Sequence, residues 1–134
     1  MAFNFEKLQT HCADVGFDFD RTSPDSLTVS ISASRLLTFA NLIEESDTLI
    51  GFEGTPWHTH GSVSLLVSAA RYVDMDEYDT LTAIRIGDVV IAERFMNGEL
   101  VDRWLAHKLE PFDLKYIEPS EELPIYRLPE LRVG

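Results

Sequence analysis

Cysteine is nearly absent from this chain. The single Cys12 excludes an internal disulfide and fits a reducing compartment. Positive charge is scarce as well: 11 Lys and Arg stand against 23 Asp and Glu, a formal net charge of −12. A field of that sign repels phosphate backbones and anionic lipid surfaces, which argues against nucleic-acid and membrane partners. It favours encounter with a basic protein or a cation. Long apolar runs are missing, and none approaches the ~20 residues of a spanning helix. The first residues carry neither a basic leader nor an apolar signal segment, so cytoplasmic residence is the expectation. No Walker loop, nucleotide-binding glycine loop, HExxH or ordered Ser-His-Asp set is present.

Against those absences, the chain has ample material for a core. Its 134 residues are 45% hydrophobic and 25% charged, the balance of one globular domain spanning 1–134. Phe5, Leu8, Cys12 and Val15 recur at helical spacing, with Asn4 as N-cap and Gly16 as stop. The helical stripe places Cys12 on an apolar side, as an inert buried thiol. Phe17–Asp20 alternates like a short strand, and Ser23–Ser26 has turn chemistry. Leu27, Val29 and Ile31 alternate with hydroxyl residues, the pattern of a strand with one buried face. Leu36, Leu37, Ala40 and Ile43 then suggest a helix, Thr48–Glu53 a strand, and 62–73 either helix or strand.

Further on, Thr80–Ile86 and Val89–Met96 flank Gly87-Asp88, and Asn97-Gly98 leads into Glu99–Ala106. Asn-Gly between alternating segments is a strong hairpin signal. Two-residue turns place Phe95 opposite Leu100 and Ile91 opposite both Ile84 and Trp104. One face then collects Ile84, Ile86, Val89, Ile91, Phe95, Leu100, Trp104 and Ala106 as core. The reverse face carries Arg85, Arg94 and Arg103, expected to pair with acids from a covering element or to accept an anion or partner. Leu114–Ile117 and Leu123–Leu128 suggest short edge strands among prolines. The expected fold is α+β, an antiparallel sheet with a central three-stranded meander at about 79–107, packed against two or three helices.

Three constellations bear on chemistry. In Glu53–His60 the imidazoles of His58 and His60 stand at i and i+2, on one side of an extended segment. With Glu53 or the distant His107 they would suit zinc or another divalent metal. The pair resembles the first motif of cupins, with Gly51 and Gly54 upstream. However, Ser62–Leu65 supplies no following acid and the second cupin motif is absent, so the family is not carried over. The alternative for this loop is structural, with histidines bonded to backbone and Trp57 packed on the core. Asp74–Asp79 hints at calcium but lacks the glycine and glutamate of an EF-hand, having Asp79 and Arg85 in their places. Thr82, Glu93 and Asp102 would form a row across the meander, where neighbouring carboxylates raise one another's pKa.

Size and acidity are similar in general character to bacterial toxin-neutralising immunity proteins. That resemblance implies a cofactor-free, non-enzymatic binding protein that occludes a basic toxin or enzyme domain. Its contact surface would hold Glu44, Glu45, Asp47, Asp74, Asp76, Glu77 and Asp79, with Trp57 as an aromatic anchor. A metal-binding module or small metal-dependent enzyme built on His58, His60 and Glu53 is the alternative. A third reading is ligand sensing in a pocket lined by Trp57, Trp104 and phenylalanines.

Overall fold

The computed structural model describes residues 2–68, 71–109, 121–122 and 124–126. Helix α1 (Phe5–Val15) forms where its caps demand it. The Asn4 side chain accepts from the Lys7 N–H at 3.1 Å, and Gly16 closes the helix in the left-handed region at φ 84°. Phe5, Leu8 and Cys12 are its buried stripe.

A five-stranded antiparallel sheet follows in simple meander order: β1 (Asp18–Ser23), β2 (Ser26–Ser32), β3 (Arg35–Leu42), β4 (Asp47–Phe52) and β5 (His58–Thr59). Its register stacks apolar rows on one face. Leu27, Phe39 and Ile50 are cross-strand neighbours, as are Val29, Leu37 and Phe52. All six are buried, and α1 contributes to the same core cluster. The other face carries hydroxyls, with Thr28 Oγ1 and Thr38 Oγ1 3.1 Å apart.

Two differences from the expected elements have clear physical causes. Residues 35–42 are strand, not helix, because β3 pairs along its length with β2 on one side and β4 on the other. Tertiary pairing overrides the helical spacing of Leu36, Leu37, Ala40 and Ile43, and Ile43 is left 63% exposed. Residues 62–73 settle as the hairpin β6 (Val63–Ser68) and β7 (Arg71–Met75).

The second correction concerns Thr80–Ile86, which lie in helix α2 (Glu77–Ile86) and not in a strand. Asp76 caps it by accepting from the Asp79 N–H at 2.7 Å, and Gly87 ends it at φ 85°. The acidic first turn suits the positive end of the helix dipole, so Gly87-Asp88 is a helix exit and not a hairpin turn. The expected three-stranded meander at 79–107 is therefore a helix followed by the hairpin β8 (Val89–Met96) and β9 (Glu99–His107). Ile84 is buried on α2, while Ile86 is 49% exposed. Two helices, α1 and α2, occur among the described residues, the lower end of the expected number. His11 Nε2 lies 2.9 Å from both the Tyr78 carbonyl and Thr82 Oγ1, joining the two helices. No helix among the described residues is long and apolar enough to cross a membrane.

β8 is flanked by β9 on one side and by β10 (Glu121–Glu122) and β11 (Ile125–Tyr126) on the other. Part of the expected strand at 123–128 is thus β11, whereas Leu114–Ile117 lie outside the described residues. At the Asn97-Gly98 turn Phe95 faces Leu100 as expected, but the register slips by one before Arg94. Val101 is the extra residue of a β-bulge. From there on, Ile91 faces Leu105, Glu93 faces Arg103 and Ala92 faces Trp104. Leu105, not Trp104, accordingly joins the core cluster.

The slip also dissolves the expected arginine stripe. Arg103 points inward, only 6% exposed, and donates to Glu93 at 2.7 Å. Arg35, at the start of β3, grips the same carboxylate through two bonds of 2.8 and 3.1 Å. Its guanidinium lies over the Tyr126 ring, 3.9 Å from the centroid. Arg85 leaves the sheet altogether: on α2 it donates to the Val15 and Gly16 carbonyls at the end of α1, and it stacks on Phe17.

Burial would raise the Glu93 pKa, but the bonds and charges of Arg35 and Arg103 outweigh it and hold the carboxyl below its ordinary range. A carboxylate lowered on folding contributes stability that is present above its unfolded pKa. That stability is lost as pH falls through the folded value. Urea denaturation from neutral to acid pH is expected to show this loss, and Glu93→Gln to flatten it. At neutral pH the same substitution is expected to cost about 3–5 kcal/mol, because it leaves the buried Arg103 and the half-buried Arg35 without a counter-charge. Burial also pushes the Cys12 thiol up to about 11, so a thiol reagent is expected to label the native protein only at its unfolding rate.

Candidate functional site

The segment 53–60 is placed by a close backbone approach. β5 pairs with β4 through Ile50 with Thr59 and Gly51 with His58. A Cβ on Gly51 would stand 3.0 Å from the Trp57 carbonyl oxygen and 3.2 Å from His58 Cβ. Glycine is thus what lets this loop lie against the sheet.

The loop brings His58 and His60 together, ring centroids 5.2 Å apart and nearly perpendicular. Each has a backbone carbonyl at Nδ1: Pro56 at 3.0 Å for His58, and Thr48 at 2.8 Å for His60. His60 Nδ1 also lies 3.0 Å from Asp47 Oδ2. Glu53 turns to the hydroxyl face of the sheet, where it accepts from Thr28 and Thr38 at 3.4 and 3.5 Å. Among the described residues no three His, Cys, Asp or Glu side chains gather closely enough to hold a metal ion. His107 is held separately, its Nδ1 accepting from the Leu109 N–H at 3.2 Å.

The expected row of Thr82, Glu93 and Asp102 does not form. Thr82 is helical, Glu93 faces Arg103, and Asp102 sits on the opposite side of β9.

Parts of the two acidic stretches do converge. The N-terminal segment is tied to β3, with the Phe3 N–H donating to Asn41 Oδ1 at 2.7 Å and Asn41 Nδ2 donating back to the Phe3 carbonyl at 3.2 Å. Beside Phe3 lies a cavity of about 420 Å³ lined by Thr48, His60, Asp76 and Glu77. Asp47 reaches its rim through His60. Asp47 and the pair Asp76 and Glu77, distant in sequence, thus approach one opening. Glu44, Glu45, Asp74, Asp76 and Asp79 are exposed. Glu77 is partly buried, and burial chiefly raises its pKa, with Asp76 and Asp79 adding repulsion against a bond from its own backbone N–H. Among the described residues none of these six acids joins an ion pair.

Trp57 lies elsewhere. It packs on Phe52 at a centroid distance of 6.1 Å and lines a second cavity, of about 340 Å³, together with Trp104 and His107. Tyr72 of β7 and Asp102 of β9 complete that wall. Neither was selected from the sequence for this place. Tyr72 depends on 62–73 being a hairpin, and Asp102 on the Val101 bulge. The one available signal was the polarity of Asp102-Arg103-Trp104-Leu105, which suits a core only if Arg103 and Leu105 turn inward as a pair.

Gly51→Ala is expected to push Trp57 and His58 off β4. The consequence would be altered tryptophan emission and a loss of about 1–3 kcal/mol, the usual range for overpacking. An alanine at the open Gly54, where an added Cβ meets nothing within 4 Å, would shift emission far less.

Compared with protein-family models, curated proteins and solved structures, the chain finds no match, so its functional reading rests on its own geometry.

Proposed function

We propose that this chain is a non-enzymatic binding protein that receives a basic protein on its acidic rim and acts by occlusion, as an immunity-type inhibitor does. The observation that carries this reading is the approach of Asp47 from one acidic stretch, and of Asp76 and Glu77 from the other, to the opening beside Phe3 and His60. Burial, with Asp76 and Asp79 beside it, raises the Glu77 pKa, and among the described residues none of Glu44, Glu45, Asp74, Asp76, Glu77 and Asp79 joins an ion pair. A lysine- or arginine-rich surface would supply those counter-charges and speed encounter. On this reading Trp57 belongs to a neighbouring cavity, and the rim binds mainly through charge.

Affinity capture at low salt from the cells that make the protein is expected to recover a basic partner in a 1:1 complex that high salt dissolves. Neutralising Asp74, Glu77 and Asp79 to their amides should lower the association rate by tenfold or more, on the scale of electrostatic steering. Because a docked cation lowers the raised Glu77 pKa, binding should release protons and strengthen as pH rises through the carboxylate range. Calorimetry in buffers of different ionisation enthalpy reads that release. Recovery of no basic partner, salt-independent binding by the unaltered protein, or an unchanged association rate in the amide variant would remove the proposal.

A further inference from the structure

We infer that the second cavity, between β5, the β6–β7 hairpin and β9, is a binding site for an organic cation carried on an apolar body. The inference is independent of the acidic rim, since the two cavities share none of the residues on which either reading depends.

The volume of about 340 Å³ falls within the ~300–1,000 Å³ of small-molecule sites. Three aromatic side chains from three separate elements line it: Trp57 before β5, Tyr72 on β7 and Trp104 on β9. Aromatic faces attract ammonium and guanidinium groups, and tryptophan does so most strongly. Trp57 and Trp104 therefore give the site a cationic preference that an aliphatic pocket would lack.

Asp102 supplies the counter-charge and is held in place. Its Oδ1 accepts from the Trp57 N–H at 3.2 Å and the Arg103 N–H at 2.8 Å. Those bonds fix the carboxylate and, through Trp57, one aromatic wall. The Val101 bulge sets both Asp102 and Trp104 on the side of β9 opposite Arg103, so the strand sends its cation into the core and its acid and indole towards the cavity. No Lys or Arg lines the cavity among the described residues. An anionic ligand would meet Asp102 and a chain of net charge −12 without compensation.

The His58 imidazole fits the same ligand class. His58 has Nδ1 against the Pro56 carbonyl, which only accepts, so the neutral ring donates there and keeps Nε2 as an acceptor. An ammonium or guanidinium N–H is a suitable donor to it.

The test titrates the full chain with 2-phenylethylammonium, the uncharged 2-phenylethanol and the anionic phenylacetate, reading tryptophan emission and calorimetric heat. The ammonium should bind on the order of tenfold more tightly than the alcohol, and phenylacetate should not bind. Asp102→Asn and Trp104→Leu should each weaken the ammonium by a similar factor and narrow its advantage over the alcohol. If either variant misfolds, Tyr72→Leu serves instead, because Tyr72 is 61% exposed and its removal leaves the core intact.

A capped glycine-serine peptide bearing one lysine, compared with the same peptide bearing norleucine, identifies the source. Tighter binding of the lysine peptide than of phenylethylammonium assigns the site to a polypeptide side chain, and the reverse assigns it to a free metabolite. Equal binding of ammonium and alcohol, preference for phenylacetate, or no binding by any probe overturns the inference.

Discussion

A single carboxylate held between two guanidinium groups organises this molecule. Glu93 on β8 receives Arg35 from the start of β3 and Arg103 from β9. Arg103 also donates to the Ser34 carbonyl at 3.1 Å, and Arg35 covers Tyr126 of β11. The five-stranded sheet, the β8–β9 hairpin and β11 therefore meet at one polar point inside an otherwise apolar core. Burying Glu93 and Arg103 and half-burying Arg35 is costly, and an apolar substitute of the same shape is often as stable. What the cluster supplies is register. Only one alignment of β9 against β8 presents Arg103 to Glu93, and that alignment also decides where Asp102 and Trp104 stand.

The parts of the fold legible in sequence were those fixed by local chemistry. Asn4 and Gly16 bracket α1 by hydrogen bonding and a left-handed cap, and Asn97-Gly98 makes its turn without distant help. The parts that were not legible depend on partners far along the chain. Residues 35–42 have helical spacing, yet two neighbouring strands claim their backbone. Residues 80–86 alternate like a strand, but the cap at Asp76 and the glycine at 87 take precedence. A lone bulge is harder still, because nothing around Val101 marks it except the polarity of the residues beyond.

The site divides in the same way. The closeness of His58 and His60 follows from an i, i+2 spacing on extended chain. The meeting of the two acidic stretches does not, because it requires the Phe3–Asn41 clasp and the placement of α2. Net charge understates the asymmetry as well. Arg35 and Arg103 are committed to Glu93, and Arg85 to the end of α1. These cations answer internal needs, so the outward electrostatics are more one-sided than a count of residues implies.

Val101 makes this arrangement sensitive in a way that no single side-chain replacement would reveal. Were Val101 taken into regular pairing opposite Arg94 instead of bulging, every position beyond it would change faces. Asp102 would then stand opposite Glu93 (two carboxylates in the space now shared by an acid and a base), while Arg103 would turn outward and Trp104 inward. Whether Val101 bulges or pairs thus separates a neutralised interior from a self-repelling one. Removing Val101 outright would leave the pairs beyond it as they are, Asp102 against Arg94 and Arg103 against Glu93. What the interior depends on is that this residue stays out of the ladder.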